Sequence, residues 1–143
     1  MLPIFKYILY VITALLDISL VGILLFTDGY SFFDHLWISL VLFSHALFYF
    51  ALHFNLRWLL DSLHYLVFIF PSLSVFSSNI FIKGLSLLLF IIIQMLWIRE
   101  KRCILNEEDY RFGYGDELNY FVLLFSIYLA FSIGQRVSLL PNK

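Results

Sequence analysis

The sequence predicts an all-α fold: an integral membrane bundle of about five transmembrane helices, with a short interfacial helix before the last span. Three observations predict it. Of the 143 residues, 62% are hydrophobic, well above the roughly 45–50% of soluble chains. Charged residues make up 13%, against about 25% in a soluble domain. A small domain leaves much of its chain facing its surroundings, so so much apolar surface calls for lipid as the solvent. Third, the chain offers five apolar segments near the about 20 residues needed to cross a hydrocarbon core of about 30 Å.

The first segment covers residues 4–26 and ends at Thr27-Asp28-Gly29-Tyr30-Ser31, a string of helix-breaking and turn-forming residues. It is longer than a signal-peptide core and lacks a small-residue cleavage site, so it reads as a retained anchor. The second covers 33–52, with Asp34 placed to complement the positive end of its helix dipole. A connector around residues 53–57 follows. The third covers 58–76, where Pro71 is expected to kink the helix and free a carbonyl, with Ser72, Ser74, Ser77 and Ser78 at hand to bond it.

Asn79 is the expected N-cap of the fourth segment, 80–98, which closes with Arg99, Lys101 and Arg102 against the negative end of its dipole. A polar loop spans 99–117. Within it, Asn106 followed by Glu107, Glu108 and Asp109 reads as the capped start of the short helix, closed by Gly113, with Tyr110 and Phe112 at headgroup level. The fifth segment covers 118–138. Residues 1–143 thus form a single membrane domain.

Lys and Arg favour the inner side of a membrane. With five spans, one side holds Lys6, Arg57, Arg99, Lys101, Arg102 and Arg111, and the other Lys83, Arg136 and Lys143. The N-terminus is therefore expected inside and the C-terminus outside. Seventeen Phe stand against six Gly, and no G-x-x-x-G occurs, so bulky side chains and scattered serines are expected to do the packing. The preference for Phe, Ile and Tyr over Ala and Gly is what A+T-rich coding produces, as in many organelles, parasites and large DNA viruses.

Composition also excludes functions. The net charge is -1 and the basic residues form no stripe, which argues against a nucleic-acid partner. Cys103 is the single cysteine, so no intrachain disulfide and no multi-cysteine metal knuckle can form. No nucleophile motif or phosphate-binding loop appears, and the loops are too small for a soluble active site; no catalytic residue and no enzyme activity is expected.

Ionisable groups inside apolar spans cost about 3 kcal/mol or more at mid-bilayer, which makes them functional candidates. Asp17, His45 and His64 are such a set. Reflecting the second and third helices about their connector brings His45 level with His64, at the depth of Asp17. Arg57 and Asp61, four positions apart, are the candidates for a structural ion pair. Asp61-x-x-His64 supplies too few ligands for a metal. Gly113-Tyr114-Gly115-Asp116 reads like the end of a potassium-channel filter. It lacks the preceding Thr-Val pair and follows Arg111, and it is taken as a turn before the fifth helix.

The expected function is that of a small structural or accessory subunit of a larger membrane assembly, in an organellar, cellular or viral internal membrane. Its partners are the lipid bilayer and other membrane proteins or copies of itself, with no cofactor. The alternative is an ion or proton transporter, a channel, or a redox carrier holding haem b through His45 and His64.

Overall fold

A computed structural model describes residues 3–100 and 116–138, and among these the fold is all-helical. In chain order the helices are α1 (Pro3–Phe26), α2 (Phe32–Phe54), α3 (Arg57–Leu73), α4 (Ile80–Glu100) and α5 (Asp116–Ser138), with a 3-10 turn, Ser74–Phe76, after α3. Four of them, α1, α2, α3 with its 3-10 turn, and α5, are long and apolar enough to cross a membrane. The apolar run of α4, Ile80–Leu96, is shorter. The expected interfacial helix and residues 113–115 of the expected turn lie outside the described residues, while Asp116, its last residue, opens α5.

Local chemistry sets the boundaries. Ser31 caps α2 by accepting from the Asp34 N–H at 3.1 Å, and Asp34 Oδ2 accepts from the Ser31 N–H at 2.9 Å, a reciprocal capping box. The C-terminal end of α2 runs two residues past the expected one. Asn55 takes the left-handed conformation at φ 53, and the N–H groups of Asn55 and Leu56 both reach the Ala51 carbonyl. The connector shrinks to Asn55 and Leu56. Asn79 caps α4 as expected, its Oδ1 accepting from the N–H groups of Phe81 at 2.8 Å and Ile82 at 3.3 Å.

Pro71 sits in the last turn of α3, and two residues beyond it the helix tightens into the 3-10 turn. The four serines do not bond the carbonyl it frees, which is that of Val67, four residues back. Ser72 donates to the Phe68 carbonyl at 2.7 Å and Ser74 to that of Pro71 at 2.6 Å, while Ser77 and Ser78 leave the helix for Asp34.

Successive helices run antiparallel. Lys6 at the start of α1 donates to Asn55 between α2 and α3, and Lys83 near the start of α4 donates to Ser132 near the end of α5. Buried residues of α2 (Asp34, Trp37, Ile38, Val41, Ser44, Phe48) recur every three or four positions and form one stripe. They share clusters with Leu20 of α1, Leu60 and Leu63 of α3, and Ile82 of α4. A further cluster joins Phe68 of α3 and Phe90 of α4 to Val122 and Leu129 of α5.

The outward faces are as apolar as the inward ones. On α1, Ile4, Tyr7, Val11, Leu15, Ile18 and Leu25 form an exposed stripe at helical spacing. Most serines do not join helices. Ser19, Ser39, Ser62 and Ser126 each donate to the carbonyl four residues back, which satisfies the hydroxyl within its own helix. Among the described residues, Ser77, Ser78 and Ser132 are the serines whose hydroxyls reach side chains of another element.

Candidate functional site

Asp17 lies midway along α1, opposite α2. His45 and Tyr49 are four residues apart on α2, so both project from one side of that helix. They take the two carboxylate oxygens separately: His45 Nδ1 lies 2.6 Å from Oδ1, and the Tyr49 hydroxyl donates to Oδ2 at 3.0 Å. An Nδ1–H, on a neutral ring or an imidazolium, is the donor that a carboxylate requires. Tyr10 of α1 stacks on Tyr49 with ring centroids 5.9 Å apart, covering one flank. The pair is half-buried, with 19% of the His45 side chain and 24% of the Asp17 side chain exposed.

His64, the third member of the expected set, is buried on α3 with its ring edge-on to Phe68 at 5.5 Å and to Tyr65 at 6.3 Å. The bonds that hold Asp17 come instead from His45 and Tyr49. Tyr49 escaped the sequence reading, although its i+4 spacing from His45 was there to be used. Arg57 opens α3 and Asp61 follows one turn later on the same face.

A second polar centre gathers around Asp34, beyond the dipole role expected of it. Asp34 is fully buried, and beyond its capping role its Oδ1 accepts from Ser77 and its Oδ2 from Ser78, each at 2.5 Å. Ser31 Oγ adds a bond to Oδ2 at 2.8 Å. Close by, Asn79 Nδ2 donates to Thr27 Oγ1 at 3.1 Å, and Thr27 is hydrogen-bonded to Tyr30. These bonds tie the α1–α2 turn to the α3–α4 turn at one end of the bundle. Lys83 makes a third centre: it is buried, and its Nζ donates to Ser132 Oγ at 2.7 Å.

No family model, curated protein or solved structure matches the chain. Chemistry therefore has to be read from the geometry alone. A carboxylate shared by an imidazole and a phenol can hold a proton and orient a ring. Among the described residues no group of three or more His, Cys, Asp or Glu side chains is placed to hold a metal ion. Beside His45, between α1, α2, α3 and α4, lies a cavity of about 50 Å3 lined by His45, Ser44 and Ser86 among apolar neighbours. That volume has room for water.

Proposed function

We propose that the chain is a five-span membrane protein that serves as a small structural or accessory subunit, packing against other membrane proteins or copies of itself. One observation carries this reading: the ionisable side chains Asp17, Asp34 and Lys83 inside the bundle each have hydrogen-bond partners from another element, while long apolar faces point outward. Asp17 is matched by His45 and Tyr49, Asp34 by three serines, and Lys83 by Ser132. Such pairs hold membrane helices together at about 1 kcal/mol per contact. α4 crosses with the others in this reading, because it packs on α3 and α5 along a shared apolar cluster. The N-terminus faces the inner side, following the bias of Lys and Arg.

A photo-crosslinking residue at Ile18 on α1 or Leu124 on α5, which are 68% and 65% exposed, tests the subunit reading in native membranes. Capture of another protein chain at one of these positions is the expected result. Lipid adducts alone at both, from a chain that purifies as a lone monomer, would contradict it. A second reading, proton or ion handling, draws support from the direct contact between Asp17 and His45. Under that reading Asp17→Asn abolishes flux into liposomes.

A further inference from the structure

The cavity beside His45 is mostly apolar, yet Ser86, His45 and Ser44 line it. Ser86 of α4 lines it, is 3% exposed, and its hydroxyl has no hydrogen-bond partner. Other serines in this chain donate to the carbonyl four residues back, and Ser86 does not. His45 commits Nδ1 to Asp17, which leaves its second ring nitrogen for another partner. Val67 and Pro71 both line the cavity. Pro71 has no N–H to give the Val67 carbonyl, and the nearby serines bond elsewhere.

Apolar cavities stay dry, whereas a cavity that offers two to four polar partners and room for at least one water-sized sphere holds water. We propose that this cavity, of about 50 Å3, binds one or two water molecules that bridge Ser86 Oγ and the second ring nitrogen of His45, with the Val67 carbonyl as a further acceptor. The bound water lengthens the chain Tyr49–Asp17–His45 into the middle of the bundle and ends it at Ser86. A proton shared between Asp17 and His45 then has a hydrogen-bonded route from the α1–α2 contact to α4. This site is independent of whether the chain has protein partners.

The test uses the full chain in lipid nanodiscs with 15N-labelled histidine, and solid-state NMR transfer from water to imidazole. The His45 signal is assigned by its loss in His45→Gln. Rapid transfer from water to the His45 ring is expected, and Ser86→Val, which fills the space, should reduce it several-fold. Absence of transfer, or transfer undiminished in Ser86→Val, would overturn the proposal. Ser86→Ala provides a second reading through thermal unfolding. In a hydrated cavity it leaves the Tm unchanged or lowers it by a few degrees. In a dry cavity it removes a stranded hydroxyl and raises the Tm, which would also overturn the proposal.

Discussion

Asp34→Ala is expected to lower stability by about 3–4 kcal/mol, the largest loss from any single polar substitution in the described residues. Asp34 is fully buried and accepts from the Ser31 N–H and from the hydroxyls of Ser31, Ser77 and Ser78. Hydrogen bonds to a charged acceptor are worth about 1.5–3 kcal/mol each in soluble proteins. Those inside membranes average nearer 0.6 kcal/mol. Four bonds at the end of a bundle fall between these limits. Removing the acceptor also strands buried donors and breaks the link between two turns. Unfolding in mixed micelles measures the loss, and Asp34→Asn, which keeps one acceptor oxygen, should cost about half as much. An unchanged midpoint for Asp34→Ala would mean that the two turns are held by something else.

Asp17→Ala should cost about 2 kcal/mol, the second-largest effect. It leaves His45 Nδ1 and the Tyr49 hydroxyl without their acceptor in a half-buried site. A double-mutant cycle with His45→Ala isolates the pair, and a coupling of about 1–1.5 kcal/mol is expected, near the upper end for membrane helices. The subunit reading places the whole effect in stability or assembly and none in ion flux. Flux that Asp17→Asn abolishes, in protein as stable as the wild type, would transfer the site to the proton-handling reading.

The helices were legible because their signals are local. Apolar runs of spanning length, the turn residues at Thr27–Ser31 and the cap at Asn79 locate ends to within about two residues, and Asn55 shows why α2 runs longer than expected. Half of the site was legible for the same reason: an ionisable residue in an apolar run announces itself, and Asp17 and His45 do meet. The rest depends on which turn meets which. Ser77 and Ser78 lie 43 and 44 residues from the Asp34 they bond, and serines in general carry no sign of whether they will bond their own helix or another. Lys83 was counted among surface charges, whereas α5 brings Ser132 to it inside the bundle. The vacancy at Ser86 has no sequence signature, because it arises only where four helices meet.

The central claim, that the chain crosses the membrane five times with α4 as one of the crossings, is tested most directly by labelling. Asp28 lies exposed in the α1–α2 turn, and Cys103 follows α4 in sequence. Asp28→Cys in a Cys103→Ser background, and Cys103 in the otherwise native chain, are treated with a membrane-impermeant thiol reagent in sealed, oriented vesicles. Three crossings, α2, α3 and α4, separate the two positions if α4 spans, so the account predicts labelling at residue 28 from the outside and protection of Cys103 until the vesicles are opened. Labelling of both residues from the same side would mean that α4 does not cross, and would contradict the account.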